Sequence, residues 1–93
     1  MSYWIYIMTN THKTVLYTGM TNDLTRRICE HKSGEGSAFT KRYCVNKLVF
    51  WERFDHPNEA IAAEKKIKAG SRAKKIELIE KDNPFWKDLS EGC

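Results

Sequence analysis

Tyr3-Trp4-Ile5-Tyr6-Ile7-Met8-Thr9, then Asn10-Thr11-His12-Lys13, then Thr14-Val15-Leu16-Tyr17-Thr18-Gly19-Met20, is the stretch that decides the fold. The first run is continuously apolar and aromatic, the pattern of a strand covered on both faces. The middle residues are polar turn chemistry, and the last run is again rich in β-formers. Together they predict a hairpin. Where cross-strand pairs have residue numbers summing to an odd value, Tyr6 and Tyr17 face the same side. A two-residue turn at Thr11-His12 sets them directly opposite each other.

Downstream of the hairpin, Thr21 and Asn22 can each cap a helix, and Asp23 suits the positive end of its dipole. This helix is expected to run to about Lys32 and to stop at Ser33-Gly34. Glu35 to Arg42 reads as a polar, glycine-containing loop with Phe39 as its one large anchor. Lys47 to Phe54 alternates large apolar residues and reads as a third, central strand. Pro57 favours a helical start, so a second helix follows His56-Pro57-Asn58. Gly70-Ser71 ends it and caps a third, through about Lys81. Asn83-Pro84 imposes an extended turn, after which Phe85, Trp86 and Leu89 are expected to tuck the tail onto the core. The order β-β-α-β-α-α predicts an α/β fold, a small three-stranded antiparallel sheet flanked by helices, as a single domain over residues 1–93.

A chain of 93 residues buries roughly 60–65% of the surface that its unfolded form exposes, enough to fold alone. No run approaches the ~18 apolar residues of a membrane span, and Tyr3 to Met8 is too short for a signal peptide and lacks a basic leader. Cys29, Cys44 and Cys93 share no metal-binding spacing, and an odd count suits a reducing compartment. Cys29 and Cys44 read as small buried hydrophobes. A soluble, cytoplasmic protein with no membrane partner is the expectation.

The net charge is +4, from sixteen basic and twelve acidic residues. Its distribution says more than its size. Lys65, Lys66, Lys68, Arg72, Lys74 and Lys75 crowd one stretch in which Glu64 is the only acid. Such density suits polyphosphate, although solvated helix faces look the same. Lys65, Lys68, Arg72, Lys74 and Lys75 are the candidate nucleic-acid contacts.

On the first helix, Leu24, Arg27, Ile28 and His31 share one arc at 100° per residue, and Arg26 points elsewhere. Arg27 flanks the apolar stripe and can reach over the sheet toward the tyrosines. Its guanidinium stays charged and forks onto phosphate oxygens. A phenol, by contrast, has a pKa near 10 and is a poor base unless cations depress it. On the second helix, with Ala60 at 0°, Glu64 lies at about 40° between Ala63 and Ile67 on one side and Lys68 and Ile61 on the other. A carboxylate on that packed face is costly unless it is paired, hydrogen-bonded or bound to metal.

Trp4-Ile5-Tyr6, Tyr17-Thr18-Gly19 and the helix Asp23-Leu24-Thr25-Arg26-Arg27-Ile28-Cys29-Glu30-His31 resemble the GIY-YIG nuclease superfamily, which carries two such triplets on neighbouring strands before a helix with an arginine and a histidine. Trp4 stands where the family name has glycine, and Thr18 where it has isoleucine. Tyr6, Tyr17, Gly19, Arg27 and His31 occur in the expected order, and the likeness extends to Glu64. The chain looks most like the small single-domain members. The resemblance implies metal-dependent hydrolysis of DNA phosphodiesters. In that scheme Tyr6 or Tyr17 orients or deprotonates the water, Arg27 neutralises non-bridging oxygens and His31 assists. Glu64 would hold one Mg²⁺ or Mn²⁺, and Asn83 is the candidate for a late asparagine near the site, unless it is a turn residue. DNA is favoured over RNA as partner. A protein partner supplying specificity is also implied, since related nucleases carry a separate domain for it. The rival expectation is a non-catalytic nucleic-acid-binding module on the same scaffold.

Overall fold

A computed structural model describes residues 1–93. In it the continuously apolar run forms β1 (Tyr3–Thr9), which lies between β2 (Leu16–Thr21) and β3 (Lys47–Phe54), antiparallel to both. The centre of the sheet is therefore β1, not β3 as its alternation suggested. Ile5 through Thr9 are all buried, whereas β3 is buried only at Leu48 and Val49 and exposes Trp51, Glu52 and Arg53. An alternating strand needs one covered face; a strand apolar at every position needs two.

The helices are α1 (Leu24–Lys32), α2 (Ala38–Arg42), α3 (Pro57–Ala69) and α4 (Arg72–Asp82). The predicted order holds, with the short helix α2 added inside what reads as a loop. Ser37 starts α2, accepting a hydrogen bond from the Thr40 amide at 3.2 Å. Its capping preference was the overlooked signal. Asp23 and Ser71 cap α1 and α4 in the same way.

Two apolar clusters hold the layers together. Tyr6, Met8 and Leu48 pack with Ile28 of α1 and with Val45, while Ile7 and Val49 pack with Ile79 of α4 and Trp86. Leu48 and Val49 face opposite clusters by simple alternation, and a register shift between Ile7 and Met8 against β3 lets Val49 and Phe50 serve the same one. Ile61, expected against the sheet, is exposed.

The tail departs from expectation in part. Trp86 is buried and its indole N–H donates to Glu80 at 2.7 Å, but Phe85 and Leu89 are exposed. Asp88 anchors the return by accepting from Lys32 at 2.6 Å and from the Leu48 amide at 3.1 Å. Burial raises the Asp88 pKa, but the hydrogen bonds from Lys32, Ser90 and Leu48 outweigh it and hold the carboxyl at about 2. This return brings Cys93 to Cys29, and the two form a disulfide. Cys29 is thus not an unpaired buried thiol, and Cys44 is exposed rather than buried. The bridge also removes cysteine usage as support for a reducing compartment. No helix is long and apolar enough to cross a membrane.

Candidate active site

The β1–β2 pairing opposes Tyr6 to Gly19 and Met8 to Tyr17. Tyr6 and Tyr17 share a face, as an odd pair sum requires, but stand diagonally rather than opposite. The reason is the turn. Asn10 accepts from the Thr14 amide at 2.8 Å and donates to its hydroxyl, and Lys13 adopts φ 57°. This closes a longer connection than a two-residue turn and shifts the register by one pair. Tyr17 consequently sits 6.4 Å from Tyr6, ring centre to ring centre.

Gly19 matters for what it lacks. A Cβ there would lie 2.4 Å from the Tyr6 ring and its hydroxyl oxygen, so the phenol occupies space that any side chain would take. Tyr6 is 1% exposed, and its oxygen lies 2.9 Å from Nε2 of His31, which is 2% exposed. Nδ1 of His31 lies 3.0 Å from the Thr40 hydroxyl, which itself donates to the Ser37 carbonyl at 3.2 Å. Because the Thr40 proton is engaged there, Nδ1 carries the imidazole proton, and the free lone pair on Nε2 accepts the proton of the Tyr6 hydroxyl. Burial pushes the Tyr6 pKa up to about 12 despite the neighbouring Arg27. Burial, then the charge of Arg27, pushes the His31 pKa down to about 4. Tyr6 is a neutral donor and His31 a neutral acceptor.

Unfolded His31 takes up a proton near pH 6.5, whereas the folded ring resists until about pH 4. Stability present at neutral pH is therefore lost as pH falls from 6.5 toward 4, by on the order of 2 kcal/mol at pH 5. Thermal melts between pH 7 and pH 5, above the titration of Asp88, are expected to fall steeply for the parent and to flatten for His31→Gln. Equal slopes would contradict the neutral buried ring.

Arg27 is half-buried and tied at two points. Nη1 donates to Glu30 at 3.0 Å and Nη2 to the Gly36 carbonyl at 3.1 Å. The ion pair with Glu30 raises its pKa further, so the guanidinium is a fixed charge beside the phenols. Arg26 points to solvent between Asp23 and Glu30. Gly36 also clears the floor, since a Cβ there would lie 2.0 Å from Nδ1 of His31. Gly36 and Thr40 are the residues that the sequence reading missed. A glycine next to a capping serine was their only trace.

Tyr17 is half-buried, sits edge-on to the His31 ring at 5.2 Å, and lines an open cleft of about 330 Å³ with Phe39, Lys68 and Lys75. Glu64 is 21% exposed on its side chain, forms an ion pair with Lys68 at 3.5 Å, and lies close enough to Tyr6 to act on its charge. No group of three His, Cys, Asp or Glu that could hold a metal ion surrounds it. A lone, accessible carboxylate fits a hard divalent ion that keeps its waters, and does not fit zinc.

The remaining candidates divide. Lys68 faces the Tyr17 cleft, Lys74 opens with Lys66 onto a separate groove against Ile5 and Phe50, and Lys75 lines both, its ammonium donating to the Gly70 carbonyl at 3.0 Å. Lys65 is exposed, and Arg72 donates to the Lys13 carbonyl at 2.8 Å. Asn83 is a turn residue. Its buried amide donates to the Val49 and Lys87 carbonyls and accepts from the Lys87 amide, leaving nothing to offer a substrate.

Residues 2–77 match the family model described as the GIY-YIG catalytic domain. A UPF0213 protein of Natronomonas pharaonis is 40% identical over 77 residues, which cover 83% of this chain and 89% of that one. A UPF0213 protein of Staphylococcus saprophyticus is 44% identical over 64 residues, covering 69% and 78%. The solution NMR structure of a UPF0213 protein from Bacillus halodurans superposes with a TM-score of 0.61 at 32% identity, over 99% of this chain and 100% of that one.

Proposed function

The chain belongs to the GIY-YIG catalytic-domain family, and from that premise we propose that it is a metal-dependent endonuclease that hydrolyses phosphodiester bonds of DNA. The observation that carries the proposal is the arginine held at two points beside a half-exposed phenol, over a neutral buried Tyr6–His31 pair. A purely structural aromatic cluster has no need of a tethered cation.

In this reading Tyr17, not Tyr6, meets the reacting atoms. Tyr6 is buried and stays protonated, its pKa being about 12. Tyr6 and His31 are positioning residues that fix the Tyr17 ring, and the neutrality of His31 leaves Arg27 as the cation of that floor. Tyr17 orients a water for attack on phosphorus. The new P–O bond forms as the bond to the departing strand breaks; the attacking water releases a proton to solvent, and the departing oxygen takes one from solvent. Arg27 neutralises charge growing on the non-bridging oxygens. Glu64 would hold Mg²⁺ or Mn²⁺, which supplies charge stabilisation at the phosphate when bound. Lys68 and Lys75 supply phosphate contacts at the cleft.

The test is incubation of the full chain with end-labelled single-stranded, duplex and branched DNA, and with RNA of matching sequence, with and without Mg²⁺ or Mn²⁺. Cation-dependent strand scission of DNA is expected, with RNA cut less. Binding without scission under any condition would replace the enzyme by the non-catalytic nucleic-acid-binding module.

A further inference from the structure

Two aromatic side chains are left uncovered beside this site. Phe39 stacks on Tyr17 with ring centres 5.9 Å apart and planes 29° apart, and Tyr43 follows at 4.8 Å from Phe39. Phe39 is 40% exposed and Tyr43 39%. Both come from the segment of α2, which faces inward through Thr40, buried against His31. Docking Thr40 turns the neighbouring aromatics outward, where they add little to the core. Cations border the row: the Arg42 guanidinium lies 5.5 Å from the Tyr43 ring centre, and Lys68 and Lys75 line the cleft that Tyr17 and Phe39 share. Glu64, paired with Lys68, is the acid on that rim.

We propose that Phe39 and Tyr43 form a stacking platform for an unpaired base of the nucleic-acid substrate, adjacent to the phosphate that is cut. The charge identifies the occupant. An apolar partner would not call for cations along the row, whereas a single strand presents flat bases and a phosphate on each nucleotide. A base pair within an intact duplex keeps its faces covered by its neighbours, so the platform selects substrates with a single-stranded segment. This deepens the endonuclease reading, on which it rests for the position of the scissile phosphate but not for the binding itself.

The experiment measures binding in EDTA, by fluorescence anisotropy, with a labelled ten-nucleotide oligothymidylate and a ten-base-pair duplex. The parent is compared with Phe39→Ala, Phe39→Leu and Tyr43→Ala. Stacking of one base contributes about 1–3 kcal/mol, so each variant is expected to bind the single strand roughly 5- to 150-fold more weakly and the duplex within about twofold. A series of oligonucleotides with one base removed should find a position that weakens the parent and leaves Phe39→Ala unmoved. Phe39→Leu keeps an apolar contact on Tyr17 without a π face, so its loss separates stacking from packing. Parallel losses on single strand and duplex, or single-strand binding that is unchanged in Phe39→Leu and Tyr43→Ala, would overturn the platform. Because no cleavage is read, that failure leaves the endonuclease reading standing, and absence of cleavage leaves this measurement intact.

Discussion

Arg27→Ala is expected to lower the single-turnover cleavage rate by about 10²–10³-fold, the usual loss when one fixed charge-stabilising group is removed. The size follows from how the guanidinium is held. Its two tethers, to Glu30 and to the Gly36 carbonyl, meet the ordering cost on folding and not during the reaction. Arg27→Lys retains charge but loses the fork, so an intermediate loss is expected. Arg26→Ala is the control. Its partners Asp23 and Glu30 are on the surface, where ion pairs contribute about 0–1 kcal/mol, and its effect should stay within a few-fold. Since Arg27 also braces the Gly36 loop, the comparison is made among variants whose thermal melts match the parent's. Equal losses from Arg26→Ala and Arg27→Ala would contradict the assignment of the charge to one helix face.

The readable parts of this chain were those governed by short-range pattern. The unbroken apolar run of β1, the arc of Leu24, Ile28 and His31, and the Pro57 and Ser71 boundaries all lie where predicted, although Asp23 rather than Thr21 or Asn22 caps α1. Where long-range contact decides, the pattern was silent. The alternation of β3 fits a central or an outer strand equally, and only the two-sided burial of β1 distinguishes them. The register of the hairpin depended on Asn10 and Thr14 closing a longer turn, a side-chain choice that composition alone leaves open. The Cys29–Cys93 bridge spans 64 residues and exists because Asp88 turns the tail back. Within the site, helical periodicity brought Arg27 and His31 to one arc but carried no information about burial. His31 is enclosed by Tyr6, Thr40 and the bare backbone of Gly36. The same blindness hid α2, whose five residues are too few to show a period.

The proposed metal dependence rests on Glu64, the one carboxylate assigned to the ion. Glutamine has nearly the same shape but no charge, so Glu64→Gln is expected to abolish cation-dependent cleavage. The fold should survive, because Glu64 is partly exposed and its i, i+4 pair with Lys68 is of a kind that contributes only about 0.2–0.5 kcal/mol. Loss of the fold would instead make Glu64 a structural partner of Lys68, and a thermal melt reads that directly. The decisive measurement is single-turnover scission of an end-labelled DNA strand by parent and Glu64→Gln across a Mg²⁺ titration. Mg²⁺-dependent cutting by the parent and none by a fully folded Glu64→Gln is the expected result; cutting by that variant at the parent's rate would contradict the metal role of Glu64.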